Sequence, residues 1–349
     1  MEYKHIPVLK EKVLFYLNLK EDGTYVDATL GEGGHAQAIL ERLGAGGRLI
    51  GIDQDEQELL IAKRRLKRFG SKVTFIQDNF KDLDLILGSL KVKELSGIFF
   101  DLGLSSFQLD DLTRGFSFRF DAPLDMRRDR KSKIRAADLI NGCSEREIED
   151  IIRRYGEERW AKRIAKFIVK ERRVRPIVTT SQLVNIIEAA IPKRFWSKKI
   201  HPATKTFQAL RIAVNQELEA LEEGLRKGID FLARGGRIVV LSFHSLEDRI
   251  VKLQFRQLET EGRGRKTSVI SHQSSVIGQQ PVEETKDHGL WTMDRGLKMD
   301  YGLETGKGQR AEEEPVIKVL TRKPVAPDAG EITLNIRARS AKLRAAEKV

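Results

Sequence analysis

The sequence predicts an α/β fold, a parallel sheet with helices on both faces, into which a helical block is inserted. Over about the first hundred residues, short apolar runs alternate with helix-length segments, and each run ends at a carboxylate or amide. From about Asp110 to Ile200 the strand signal vanishes while helical periodicity and caps persist.

Tyr25-Val-Asp-Ala28 predicts the first strand, closed by a glycine turn and a helix from His35 to about Leu43. Arg48–Ile52 predicts a second strand and Glu56–Phe69 an amphipathic helix; Lys72–Ile76 and Gly97–Phe100 predict the third and fourth strands. Strands separated this way imply right-handed crossovers and parallel pairing. In the helical block, Ser144-Glu-Arg-Glu147 is a capping box, and Cys143 is placed to staple onto Ile148. Glu158–Arg173 predicts a basic helix, and Pro202 the first turn of a long helix ending near Gly235-Gly236. Strand signals return at Arg237–Ser242 and Val316–Leu320. The expected organisation is a first sheet part over 1–109, a basic helical insert over 110–211, and a second sheet part over 212–349. Within the last, about 262–314 is expected to be a long flexible loop.

A spanning helix needs about 20 apolar residues, and the apolar runs here are only a few residues long, so no membrane segment is expected. The first residues lack a basic stretch followed by an apolar core, and the chain has 1 cysteine; both suit a cytoplasmic protein without disulfides. With 1 cysteine the chain cannot build a Cys-cluster metal site, and no metal is expected. The formal charge of +12 is concentrated: from Arg172 to Gln216 nine bases face the single acid Glu188, a net +8. Such a stripe suits a polyanionic partner.

Asp27, Asp53, Asp78-Asn79 and Asp101 stand at or after the ends of the four early strands, at spacings of 26, 25 and 23. Open α/β sheets bind ligands at the carboxyl ends of their strands, so these groups are expected on one rim. The turn Gly31-Glu-Gly33-Gly34-His35-Ala36 also fits a dinucleotide fingerprint. Glu32 and Asp27 would repel a pyrophosphate, however, whereas a nucleoside bearing a sulfonium cation would welcome them. S-adenosylmethionine meets that description, with the glycine turn beside its methionine part, Asp53 on the ribose and Asp78-Asn79-Phe80 around the adenine.

The loop Asp101–Asp110 then faces the reacting methyl, and Asp101 or Ser105 is the candidate to receive a hydrogen bond from an attacking amine. Methylation at a pyrimidine C5 would need a cysteine nucleophile, and Cys143 reads as a helix staple. His201, Lys205, Gln208, Arg211 and Asn215 fall on one helical face, and with Lys198 and Lys199 they are the candidate contacts to a nucleic acid. His244 reads either as a rim residue or as a loop cap.

Several longer segments point the same way: His5–Leu9, Asp27–His35, Asp101–Asp110, Gly115-Phe-Ser-Phe with Pro123–Arg127, His201–Asn215, Ser242–Arg249 and Arg339–Arg344. With these the chain resembles the bacterial 16S ribosomal RNA cytosine-N4 methyltransferases, the RsmH or MraW family. The resemblance implies a class I, Rossmann-like, S-adenosylmethionine-dependent methyltransferase with an inserted helical domain. Its implied activity is N4-methylation of a cytidine in the decoding region of 16S rRNA within the small ribosomal subunit. It implies cofactor contacts at Gly33, Gly34, His35, Asp53, Phe80, Asp101 and Gln108. One departure is Asn335-Ile-Arg337, where the family usually carries Asn-Pro-Arg. Two rival readings are a nicotinamide-dependent oxidoreductase and a ribosome-binding assembly factor without activity. The sequence leaves monomer and homodimer open.

Overall fold

The computed structural model describes residues 7–260 and 315–349; the expected loop at about 262–314 lies outside them, as does His5. Seven strands form one sheet: β1 (Thr24–Asp27), β2 (Arg48–Asp53), β3 (Val73–Gln77), β4 (Leu95–Asp101), β5 (Leu232–Ser242), β6 (Ile317–Val319) and β7 (Lys342–Lys348). Their order is β3-β2-β1-β4-β5-β7-β6. β1 to β5 are mutually parallel, and β7 runs antiparallel to β5 and β6. From β1 the chain builds outward through β2 and β3, then crosses to β4 and builds the other way. The carboxyl ends of β1 and β4 therefore flank the switch point where such sheets bind ligands.

The helices are α1 (Lys10–Leu17), α2 (Gly34–Leu40), α3 (Glu56–Arg65), α4 (Leu83–Ser89), α5 (Ser106–Asp110), α6 (Ala136–Gly142), α7 (Glu145–Gly156), α8 (Ala161–Arg172), α9 (Thr180–Ala190), α10 (Thr204–Asn215), α11 (Glu217–Asp230), α12 (Ser245–Thr260) and α13 (Ala329–Leu334). Alternating strand residues fill two cores. Tyr25, Leu49, Phe99 and Val239 pack with α1, α2 and α3, whereas Val26, Ile50, Phe100 and Val240 pack with α4, α11 and α12. Strands buried on both faces explain the near-continuous apolar runs. Helices α6 to α10 surround a third apolar cluster of their own, including Ile140, Ile152, Ile164, Ile187 and Leu210.

The expected long helix from Pro202 is two helices. It starts at Thr204, and Gln216, with φ 49°, breaks it before α11. Gly235 and Gly236 end no helix. They lie inside β5, where the register against β4 slips between Leu95 and Gly97. Two glycines at a bulge look in sequence like a helix stop, because both uses exploit freedom at positive φ, which Gly235 adopts at 76°. The helix predicted over Glu56–Phe69 ends as an α-helix at Arg65 and continues as 3-10 turns. Helix α12 and strand β7 carry no sequence expectation above.

Candidate active site

Asp27, Asp53, Asp78 and Asp101 line one cavity at the carboxyl ends of β1 to β4, joined by Phe80, Gly34, His35, Ser105 and Gln108. The glycine turn divides its labour. Gly31 (φ 50°) offers its N–H to Asp53 Oδ2 at 2.7 Å, while Gly34 and His35 open α2 against the cavity. Gly33 (φ 79°) is needed for packing, since a Cβ there would meet Leu66 at 3.2 Å and Ala62 at 3.3 Å. Only glycine takes that backbone conformation without strain while letting α3 approach.

The second strand-end acid is held firmly. Asp53 Oδ1 accepts from Asp55 N–H at 2.9 Å, and burial raises its pKa against the nearby positive charge of Arg128. Asp27 is buried, and burial pushes it up to about 7. Asp101 sits 3.6 Å from His35 Nε2, and burial with the nearby charges of Asp27 and Glu247 holds it well above the usual carboxylate range. Among the described residues, its Oδ1 is buried without a hydrogen-bond partner. A cavity of crowded carboxylates, two of which (Asp101 and Glu58) carry an orphaned oxygen among the described residues, fits a cationic ligand that makes hydrogen bonds through hydroxyls and an amine. Phe80, buried and edge-on to Phe100 at 5.5 Å, adds the apolar wall a purine requires. Asn79 turns away and accepts from Lys81 N–H at 3.0 Å, so of Asp78-Asn79-Phe80 only Asp78 and Phe80 line the cavity.

The remaining candidates carry structural bonds. Ser105 caps α5, accepting from Gln108 N–H at 3.0 Å, and its hydroxyl donates to Glu58. Gln108 is buried and donates to Asp55 Oδ2 at 3.1 Å. His244 caps α12: its Nδ1 accepts from Glu247 N–H at 3.4 Å, and its Nε2 lies 3.0 Å from Glu247 Oε1. Glu217, His244 and Glu247 bring their donor atoms within 4.8 Å of one another, but Arg211 and Arg128 pair with Glu217 at 2.8 and 3.2 Å. Two guanidinium groups in that position satisfy the acids and repel a cation.

The helical face expected to meet nucleic acid is largely occupied by the protein itself. Lys205 Nζ donates to Glu157 O at 2.9 Å, Gln208 to Tyr155 O at 3.1 Å, Arg211 to Glu217 Oε2 at 2.8 Å, and Asn215 to Met126 O at 2.8 Å. His201 precedes α10, accepts from Ala203 N–H at 3.2 Å and pairs with Glu188 at 3.2 Å. Lys198 and Lys199 are exposed, as are Arg173, Arg175, Lys193 and Arg194. The periodicity of Lys205, Gln208, Arg211 and Asn215 is a helical signal within α10, but a polar stripe also forms where a helix bonds to its neighbours.

Three arginines were not anticipated. Arg114 is buried and pairs with Asp55 Oδ2 at 2.8 Å while donating to the carbonyls of Arg127 and Arg128 at 2.9 Å. It thereby pins the segment after α5 to the end of β2. Arg128 lines the cavity, donates to Gly103 O at 2.5 Å and is held through its own N–H by Asn215 Oδ1 at 2.8 Å. Arg337 reaches the cavity from the far end of the chain and donates to Ser106. Arg337 lies inside a quoted segment, Asn335-Ile-Arg337, whereas Arg114 and Arg128 only border quoted motifs.

The strand order, the reversed β7 and a carboxylate-lined cavity at the switch point define a Rossmann-like, S-adenosylmethionine-dependent methyltransferase. The chain belongs to the MraW methylase family, whose model matches residues 2–288. It is 47% identical over 348 residues to the ribosomal RNA small subunit methyltransferase H of Trichlorobacter lovleyi, covering 100% of this chain and 99% of that one. To the protein of the same name from Clostridium botulinum (strain Kyoto / Type A2) it is 42% identical over 349 residues, with 100% of both covered. Among solved structures, an rRNA methylase from Streptococcus thermophilus aligns with a TM-score of 0.38 at 11% identity, over 97% of this chain and 93% of that one, too distantly to bear on the site.

Proposed function

We propose that this protein methylates the exocyclic N4 of a cytidine in the decoding region of 16S rRNA, with the small ribosomal subunit as substrate. The observation that carries the reading is the cavity of strand-end carboxylates, lined on one side by Arg128 from the early part of the basic helical block 110–211. We take that block as the substrate-binding unit. Its exposed cations Arg173, Arg175, Lys193, Arg194, Lys198 and Lys199 suit the phosphates of a folded RNA. Arg159 and Arg194 also stack on Phe195, at 5.3 and 4.8 Å from the ring centroid, a basic and aromatic combination that suits unstacked bases.

S-adenosylmethionine supplies an electrophilic methyl group for in-line displacement. The chain must then exclude water, orient the amine and take up its proton. Asp53 suits the ribose hydroxyls, Gly33 and Gly34 shape the turn beside the methionine part, and His35, Phe80 and Gln108 complete the cofactor set. Asp101 suits the amine: its unpartnered Oδ1 is a hydrogen-bond acceptor at the end of β4, and a cation beside it would favour the ionised form. Ser105 suits it less, its proton being engaged by Glu58. Attack through N4 rather than C5 also agrees with Cys143, whose thiol is half-buried in the helical block and pushed up to about 11 by burial. That is no thiolate nucleophile at neutral pH.

The test is methyl transfer from labelled S-adenosylmethionine to small subunits lacking the modification, with nucleoside mass spectrometry of the product. One N4-methylated cytidine is expected. A C5-methylated product, or intact cofactor binding with no transfer to subunits or free rRNA, would overturn the substrate assignment.

A further inference from the structure

The cavity has an electrostatic asymmetry that its own acids leave unresolved. Asp27, Glu32, Asp53, Glu58, Asp78 and Asp101 all line it, and they suit the sulfonium and ammonium of the cofactor. They repel its carboxylate. Among the described residues only Arg128, Arg337 and His35 bring cationic or titratable nitrogen to the same lining. His35 lies beside Asp101 and against the ring of Phe99, 4.7 Å away. Arg128 is engaged by Gly103 O and Glu217, with 14% of its side chain exposed and, among the described residues, only its buried Nε without a partner.

Arg337 differs on each count. Its side chain is 39% exposed, and besides Ser106 it holds Asp110 only loosely, at 3.3 and 3.4 Å. Exposed pairs of this length contribute little and can be exchanged for a better partner. Its backbone is fixed. Asn335 Oδ1 accepts from Arg337 N–H at 3.1 Å, Asp328 caps α13, and Glu331 of that helix accepts the N–H of Leu9. Ala338 and Ala341 are buried in the same core as Val8, Leu9 and Ala36 of α2. The C-terminal segment is thus docked on the face of the sheet where α2 begins, beside the glycine turn.

We propose that Arg337 binds the carboxylate of the methionine part of S-adenosylmethionine. The inference rests on this cavity being the cofactor site. A guanidinium fork matches a carboxylate in two parallel hydrogen bonds, which the single bond to Ser106 and the long contacts to Asp110 do not provide. The C-terminal segment thereby becomes part of the cofactor site.

The test compares two ligands by calorimetry on the full chain: S-adenosylmethionine, and decarboxylated S-adenosylmethionine, which keeps the sulfonium and ammonium. Arg337→Ala is expected to weaken the first by roughly ten- to a hundredfold, the range of a lost charge-assisted pair, and to leave the second unchanged. Arg337→Lys is expected to recover part of the loss. Equal weakening of both ligands would mean that Arg337 only anchors the segment, and no weakening of either would place the carboxylate elsewhere; each overturns the proposal. If the unmodified protein bound neither ligand, the cofactor site itself would be refuted.

Discussion

Asp27 ends β1 with its carboxyl buried, and burial pushes it up to about 7 from an ordinary value near 3.8. The folded chain therefore binds this proton more tightly than the unfolded chain does. The neutral acid carries no penalty below the unfolded value; stability is lost as pH rises through the window from about 4 to about 7, above which the charged form is fully penalised. A sulfonium reverses that preference by favouring the carboxylate. Affinity for S-adenosylmethionine should rise as pH increases through about 7, by at most tenfold per unit, while S-adenosylhomocysteine, whose sulfur is neutral, should change less. Calorimetry with both ligands at about pH 6 and about pH 8 checks this, and Asp27→Asn should flatten the difference. Parallel pH profiles for the two ligands would contradict it. The strand-end acids were legible because each follows an apolar run at nearly constant spacing. Arg114 was not, since an arginine in a polar stretch shows nothing of the buried carboxylate that will meet it.

At the scale of elements, capping chemistry translated well and helix breaks did not. The capping box of Ser144 and Glu147 forms as read, because it needs only four consecutive residues. Thr179 and Gln182 form the same box at the start of α9, a readable signal that drew no expectation. The break at Gln216 has no glycine or proline to announce it; ion pairs from Glu217 to Arg211 and Arg128 accompany it and are tertiary. β7 escaped notice because Lys342-Leu-Arg-Ala-Ala-Glu-Lys348 has weak strand preference, and its pairing with β5 and β6 decides the outcome. Helices α7 and α10 approach so closely that a Cβ on Gly156 would stand 2.6 Å from the carbonyl oxygen of Lys205. Gly156→Ala should cost roughly 1–3 kcal/mol by forcing the pair apart, seen as a lowered denaturant midpoint. An unchanged midpoint would mean that the helical block adjusts without strain.

In the whole molecule, one crossover does two jobs. The chain between β4 and β5 leaves the sheet at the switch point, builds the helical block with its own apolar cluster, and returns through α11 to complete the opposite core. On leaving, it lays Arg128 over the rim and buries Arg114 against Asp55, so the helical block proposed to meet RNA contributes a residue to the cavity. The C-terminal segment closes the cavity from the other side through Asn335 and Arg337. The sheet and helical block were legible as changes of period along the chain, but this double closure was not. It joins residues more than two hundred positions apart, such as Ser106 and Arg337, which no local pattern relates. The most direct measurement is a crystal structure with S-adenosylmethionine bound. The account predicts the adenine beside Phe80, the ribose hydroxyls on Asp53, and the methyl-bearing sulfur between Asp27 and Asp101. Cofactor bound anywhere other than this carboxylate-lined cavity would contradict it.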